Sequence, residues 1–324
     1  MNEKRVRDAI ESSDTDELIR IVDGACAAQE WDDLLHLRVR MEEARSRGRQ
    51  LWGVDQHVRY RFALEAPGPL AAQAVDEGPA RFALGPLTEV AANRHSFAEL
   101  APFFGSGPSR SLVAHERVIA GEKIDPSAVT DNQLELPLRL LAWEPVYQVA
   151  TYHSDRVEAL SPSLPTMAKE ALPSSATVID DHPSTEALLG LVLPWLEESN
   201  GRAQAVCAEG QPTAALKALG VPAAELAPIP VAEAMAHMAW AAASGGAEGR
   251  RRGGASGRFQ AWHTLTTLAG FEWPASAEIV TEAAGRLRWF LWSDFAPAIG
   301  WVLNIAAYDG EENLSWALAA RDAA

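Results

Sequence analysis

Apolar residues recur every three to four positions along the first part of the chain. Leu18, Val22 and Cys26 form one such set, and this spacing is typical of the buried face of a helix. The stretch Ser96–Glu99 has the capping-box pattern, in which a hydroxyl and a carboxylate start a helix. Short helices joined by Gly and Pro turns predict a helical array over residues 1–160.

The amino-acid composition changes in a segment rich in proline and serine. Pro162, Pro165 and Pro173 alternate with serines there, and proline disfavours both a continuous helix and a central strand. We therefore expect a connector at residues 161–175, with a soft boundary that can extend to residue 184.

Beyond the connector, short apolar runs alternate with helical segments. Strands are predicted at residues 203–208, 226–230, 287–292 and 301–307. A helix is predicted at Val231–Ala243, and the short link between the last two strands predicts that they pair antiparallel. Strand–helix alternation is typical of an α/β unit. The expected fold class is mixed, with a mostly helical N-terminal domain followed by an α/β C-terminal domain, residues 176–324, that contains a small mixed sheet.

The end of the chain carries further local signals. Asp309-Gly310 is typical of a turn, and Glu311–Ala320 is predicted to be a closing helix with acidic residues in its first turn. Tryptophan is abundant in this last third. Trp289 and Trp292 are three positions apart, so on a strand they face opposite sides. We expect one in the core and the other against a second layer or a partner.

Composition narrows the function classes. A chain of 324 residues favours two domains. The formal net charge of −16 argues against generic nucleic-acid binding, because contacts to phosphates need a basic surface. Cys26 and Cys207 lack the spacing of a disulfide framework or a zinc site, so we expect buried, inert thiols.

Hydropathy indicates the compartment. The charged start of the chain has no apolar signal core. No uninterrupted apolar run approaches the ~20 residues that a membrane span needs. We expect a cytoplasmic protein with no membrane partner.

The arginine segment, Gly249–Arg258, is the place where composition departs most from that background. Its spacing nearly matches a phosphate-binding loop, but Ala255 occupies the essential lysine position and a helix, not a strand, is predicted before it. A looser anion site remains open, because guanidinium groups next to a helix start can hold phosphate or carboxylate. Its candidate ligand-binding residues are Arg250, Arg251, Arg252, Arg258, Trp262 and His263. The alternative is a solvated loop whose arginines pair with surface acids.

Other catalytic signatures are incomplete. His115-Glu116 begins a zinc-protease motif, but Ile119 stands where the second histidine belongs. The sequence has neither a GxSxG nor a GxGxxG pattern. His237, between Met235 and Met238 on a predicted helix, is interpreted as a packed core histidine. We therefore expect no metal and no cofactor, and the catalytic residues are unknown.

Several stretches resemble uncharacterised proteins of actinobacteria. They are Leu84–Val90, Val113–Val118, Leu136–Leu140, Trp143–Pro145 and the arginine segment. The resemblance spans most of the chain and implies a bacterial origin, with no activity and no catalytic residues attached to it.

Two functional hypotheses follow. The first is a cytoplasmic, non-enzymatic interaction or scaffold protein that binds another protein through its helical surface or its Trp-rich domain. The second is a protein or enzyme that binds a small anionic ligand, such as a phosphate, nucleotide or carboxylate, through Arg250–Arg258. Whether the chain is an enzyme, and its oligomeric state, stay open.

Overall fold

A computed structural model describes residues 2–105, 107–296 and 299–323. The chain forms two compact units. The first consists of Met1–Arg117 and Thr151–Glu158, and the second of Val118–Ala150 and Ala159–Ala324.

The first unit is helical, as predicted. Its helices are α1 (Glu3–Ser12), α2 (Thr15–Ala27), α3 (Trp31–Ser46), α4 (Trp52–Glu65), α5 (Gly68–Asp76), α6 (Leu87–Arg94) and α7 (Phe97–Leu100), and α8 (Ser109–Ile119) carries the chain into the second unit. The strands β1 (Thr151–Tyr152) and β2 (Val157–Glu158) pair antiparallel.

Local sequence explains where these helices start. The side chains of Asn2 and Asp14 accept hydrogen bonds from first-turn amides of α1 and α2, which satisfies donors that a helix leaves unpaired. Ser96 and Glu99 form the predicted capping box of α7. The core of this unit includes the fully buried Leu18 of the predicted α2 face.

The second unit is built on one large sheet. Its strands are β3 (Ala168–Glu170), β4 (Val178–Ile179), β5 (Arg202–Glu209), β6 (Ala224–Ile229), β7 (Leu287–Ser293), β8 (Trp301–Asp309) and β9 (Leu314–Asp322). The strand order is β3-β6-β7-β8-β9-β5-β4, and every described pair is antiparallel. The mixed helix–strand class is thus confirmed, but the sheet is larger than expected and antiparallel where a mixed sheet was expected.

Helices cover this sheet. They are α9 (His182–Gly190), α10 (Leu193–Glu198), α11 (Pro212–Ala218), α12 (Val231–Ala243), α13 (Gly254–Leu268) and α14 (Ala277–Arg286). Trp289 belongs to the core that contains residues of α12 and α13, whereas Trp292 packs with residues of α11. Since neighbouring strand residues face opposite sides, the prediction that these two tryptophans lie on opposite faces is confirmed. Both are buried.

The prediction of a helix at Glu311–Ala320 is wrong. After the turn at Asp309-Gly310, Leu314–Asp322 is strand β9, which lies between β8 and β5. Its alanines and leucines suit a helix locally, but hydrogen bonding to a strand on each side outweighs that preference. Trp316, for example, lies opposite Ala307 on one side and Cys207 on the other.

The units divide the chain differently from the predicted domains 1–160 and 176–324. Residues 118–150 belong to the second unit, because Ile119, Leu136 and Tyr147 pack in its core. The predicted connector carries β3, and β4 follows just after it. Both are short edge strands, the sheet positions that tolerate nearby prolines.

Candidate functional site

The arginine segment forms the end of the loop between α12 and α13 and the first turns of α13. Gly253 adopts a φ of 94° directly before α13 begins at Gly254, a backbone conformation that favours glycine. Gly257 allows the two helices to approach closely, because a Cβ there would lie 2.3 Å from the carbonyl oxygen of Ala239. The glycines of the segment therefore serve backbone geometry.

Arg258 points into the core of the second unit. Its Nε donates to Oε2 of Glu144 at 2.7 Å and its Nη2 donates to Oε1 at 2.8 Å, and both side chains have zero exposure. The guanidinium also donates to the carbonyls of Pro137, at 3.0 Å, and Arg139, at 3.1 Å. Such a two-pronged pair is the strong geometry for arginine and carboxylate.

Three further donors complete the surroundings of Glu144. The indole of Trp262 and the hydroxyl of Tyr147 each donate to Oε2 at 2.9 Å, and the amide of Leu141 donates to Oε1 at 2.9 Å. Burial tends to raise the pKa of Glu144, but the hydrogen bond and positive charge of Arg258 prevail and lower that pKa. Burial and the neighbouring carboxylate raise the pKa of Tyr147 well above its usual value.

This network leaves Arg258 and Trp262 no access to a ligand. An external anion would have to displace a carboxylate that is itself held by five hydrogen bonds, and breaking a buried ion pair is strongly unfavourable. We interpret the network as structural. It ties residues 137–147 to α13 within the second unit.

The neighbouring arginines have a different partner. Arg252 donates from Nη2 to Oε1 of Glu198 at 2.7 Å, and the backbone amide of Arg250 donates to Oε2 of the same carboxylate at 3.2 Å. The loop is also fixed by the amide of Ala247, which donates to Oδ2 of Asp322 at 2.6 Å. The guanidinium groups of Arg258 and Arg252 therefore pair with two different carboxylates, Glu144 and Glu198.

His263 lies elsewhere again. It lines an open depression of about 490 Å³, the His263 depression, together with Gln260, Thr267 and Trp273. Its ring centroid is 6.4 Å from that of Trp273, and burial lowers its pKa. Within the described residues its Nδ1 has no hydrogen-bond partner.

Arg251, the last predicted residue, lines a groove of about 100 Å³ that we name the Trp240 groove. Its wall comes from α12 and from two stretches outside helices and strands, 146–148 and 159–162. The lining residues are Ile119, Val146, Tyr147, Gln148, Ala159, Leu160, Pro162, Ala236, Ala239, Trp240, Ala243, Arg251 and Gly254. Arg251 is the one charged residue among them. Ligand binding by Arg251 and by His263 stays a prediction.

Two side chains of the groove are unusually exposed. Val146 is 92% and Leu160 is 75% exposed, next to the half-buried Trp240. Contacts with the core fix the position of this surface. Glu144 and Tyr147, on either side of Val146, belong to the buried hydrogen-bond network. The ring of Trp240 packs edge-on against that of Trp195, with 6.0 Å between the ring centroids.

The sequence interpretation missed this groove. Leu160 lies directly before the run of prolines and serines that is interpreted as a connector. A large apolar side chain in such a polar, extended stretch was the available signal.

Over residues 2–105, 107–296 and 299–323, no three His, Cys, Asp or Glu side chains are placed to hold a metal ion. Within the same ranges, no helix combines the length and the apolar character that crossing a membrane requires.

Comparison with known proteins identifies a family. No curated protein matches the chain, and neither does any solved structure. One family model matches residues 16–324, and the chain therefore belongs to the family of unknown function DUF6183.

Proposed function

We propose that this protein binds another protein, and that the Trp240 groove receives an extended, apolar segment of that partner. The observation that carries the proposal is the exposure of Val146 and Leu160, 92% and 75%, at the edge of one groove. Contiguous exposed apolar side chains around a concave surface are typical of interaction sites. Removing them from water would drive association.

The lining defines the partner's chemistry. Trp240 and Pro162 offer rigid apolar surface, which favours an inserted aliphatic or aromatic side chain. We therefore expect a segment with apolar side chains.

The cysteines support our proposal for the compartment. Cys26 and Cys207 are both free and buried, as is usual in reducing surroundings. We place the protein and its partner in the bacterial cytoplasm.

Site-specific crosslinking tests the proposal. A photoreactive amino acid at Val146 should capture a defined partner in cells, and Leu160→Glu should abolish that capture because it places a charge in the apolar contact. Mass spectrometry of the crosslinked peptide should show an apolar segment.

The matched control is Val39, which is 59% exposed on α3 of the first unit. A photoreactive residue there should not capture the same protein, and Val39→Glu should leave the Val146 crosslink intact. Equal capture from both positions, or capture that survives Leu160→Glu, would contradict the proposal.

A further inference from the structure

The His263 depression lies where helices α9 and α13 pack together. The hydroxyl of Thr264 donates to the carbonyl oxygen of Ala187 on α9 at 3.0 Å, so this side of α13 is turned toward α9. Gln260, His263 and Thr267 line the depression, and their spacing of three and four positions places them on one face of the helix. Helix α13 therefore contributes one continuous wall.

The other walls are acidic and aromatic. Pro183 and Glu186, three positions apart on α9, form the second wall, and Phe271, Glu272 and Trp273 form the third. The two rings are half-buried, whereas the two glutamates are exposed. The depression therefore offers aromatic surface with two carboxylates at its rim.

Contacts with neighbouring rings hold Trp273 in place. Its ring centroid lies 5.5 Å from that of Phe259, with the ring planes at 89°, and 6.4 Å from that of His263. Edge-to-face contacts of this kind are favourable. Because the indole is already ordered, a ligand that contacts it loses less free energy to the ordering of side chains.

The charges around the depression favour a cation. Among its described lining residues, Glu186 and Glu272 carry negative charge and neither lysine nor arginine occurs. His263 adds no positive charge at pH 7, because burial lowers its pKa below that of an ordinary histidine. An anion would therefore meet two carboxylates there and no cation to hold it.

Two nearby groups do not reverse this balance. The guanidinium of Arg286 lies 5.8 Å from the ring centroid of Phe271, but its Nε is paired with Oδ2 of Asp309 at 3.0 Å. On α9, Nδ1 of His182 lies 3.3 Å from Oε2 of Glu186. Even with His182 protonated, two lining carboxylates leave a net negative charge.

The polar groups of the lining select the kind of cation. The hydroxyl of Thr267 already donates to the carbonyl oxygen of His263 at 2.9 Å, and the charged acceptors lie at the rim. A primary ammonium brings three N–H donors that need acceptors, whereas a quaternary ammonium has none. Aromatic rings attract a quaternary ammonium through their electrostatic quadrupole. The lining therefore fits a fully methylated ammonium better than a primary one.

We propose that the His263 depression binds a small organic cation with a quaternary ammonium group, of about the size of choline. Trp273 and Phe271 contact its methyl groups, and Glu186 and Glu272 supply the opposite charge. The volume of about 490 Å³ lies within the range of small-molecule sites. The described lining residues include none of those of the Trp240 groove, so this inference stands independently of the proposed function.

A nuclear magnetic resonance titration of the full chain tests the proposal. The backbone amide signals of His263 and Thr267 should shift saturably with choline. The uncharged isostere, in which carbon replaces the choline nitrogen, should bind at least about tenfold more weakly because it lacks the charge. Acetate and phosphate should give no saturable shift. Trp273→Leu should weaken choline binding about tenfold, and Glu186→Gln about threefold.

Matched controls separate this site from nonspecific attraction, since the chain is strongly acidic and attracts any cation. Glu170 is exposed on the edge strand β3, and Glu170→Gln should leave choline binding unchanged. Trp52 is 43% exposed on α4 of the first unit, and Trp52→Leu should leave it unchanged as well. Equal weakening by Glu170→Gln and Glu186→Gln would overturn the proposal.

A charge reversal keeps the test decisive if Trp273→Leu fails to fold. The side chain of Glu186 is 67% exposed, so Glu186→Arg changes the charge of the rim without disturbing the core. This variant should weaken choline binding at least about tenfold. The proposal is overturned if choline never saturates the signal, if the isostere binds equally well, or if Glu186→Arg binds choline normally. Saturable binding of acetate or phosphate would also overturn it and would favour an anion site.

Discussion

Glu144 and Arg258 form a two-pronged ion pair in which neither side chain is exposed, although 114 positions separate them in the sequence. The pair brings an irregular stretch of chain against helix α13. It also explains the role of Arg258, which the sequence pattern assigned to ligand binding. Because both charges are removed from water, each depends on the other.

Removing one member of this pair should destabilise the fold. Glu144→Gln or Arg258→Met should each lower the free energy of unfolding by about 3–5 kcal/mol, because an uncompensated charge stays buried. The double variant should lose less than the sum, with a coupling of about 1–3 kcal/mol. Urea unfolding measures all three.

The control is Arg252→Ala, which removes an exposed arginine and its ion pair with Glu198. It should change stability by less than about 1 kcal/mol. If Arg252→Ala and Arg258→Met lowered the free energy of unfolding equally, burial would not be the reason that the Glu144–Arg258 pair stabilises the fold.

Helix packing at Gly257 gives a second prediction. A Cβ there would lie 2.3 Å from the Ala239 oxygen and 2.9 Å from the Ala243 Cβ, so Gly257→Ala should cost about 1–3 kcal/mol by overpacking. Gly24, exposed within α2, has nothing within 4 Å of the same position. Gly24→Ala should therefore stabilise by roughly 0.5–1 kcal/mol. Melting temperatures that rise for both variants would refute the close contact.

His237 should make stability depend on pH. Burial lowers its pKa to about 4, whereas an unfolded histidine titrates near 6.5. Between these values the unfolded chain binds a proton that the folded chain does not, so stability falls as the pH drops. Above pH ~6.5 the neutral His237 does not reduce the free energy of unfolding. By pH ~4 this free energy is lower by on the order of 3 kcal/mol.

The variant His237→Gln isolates this effect. Its stability deficit relative to wild type should be largest at neutral pH and should shrink toward pH 4, as measured by urea unfolding. His36→Gln, at an exposed position, should follow the wild-type pH dependence. A deficit of His237→Gln that stays constant over the window would contradict the assignment.

The two thiols should be inert in the folded protein. Burial raises the pKa of Cys26 and of Cys207 to about 12, and the thiolate is the reactive form. A chromogenic disulfide reagent should label neither residue under native conditions and both in urea. Rapid native labelling of either one would show that its burial is incomplete.

Much of the fold was predictable from local patterns. The apolar spacing of Leu18, Val22 and Cys26 predicted the buried face of α2, and the aromatic and branched run at 287–292 predicted β7. Helix α12 begins and ends where the sequence indicated. These features depend on side chains a few positions apart, so the sequence alone was sufficient.

The assignment of β9 and of the arginine segment needed the tertiary structure. Leu314–Asp322 is a strand because β8 and β5 pair with it from both sides, and Arg258 is buried because Glu144 approaches from a distant stretch. These pairing partners cannot be recognised from the residues a few positions away in the sequence.

The sequence by itself therefore determined elements such as α2, α12 and β7, and it determined that the chain carries a large excess of acidic residues. The tertiary structure alone decided how residues 118–150 and 159–323 share one core, which arginine is buried, and where Val146 and His237 lie. The physical reason is range: local patterns follow from backbone geometry over a few residues, whereas charge pairs, cavities and grooves follow from contacts between residues far apart in the sequence.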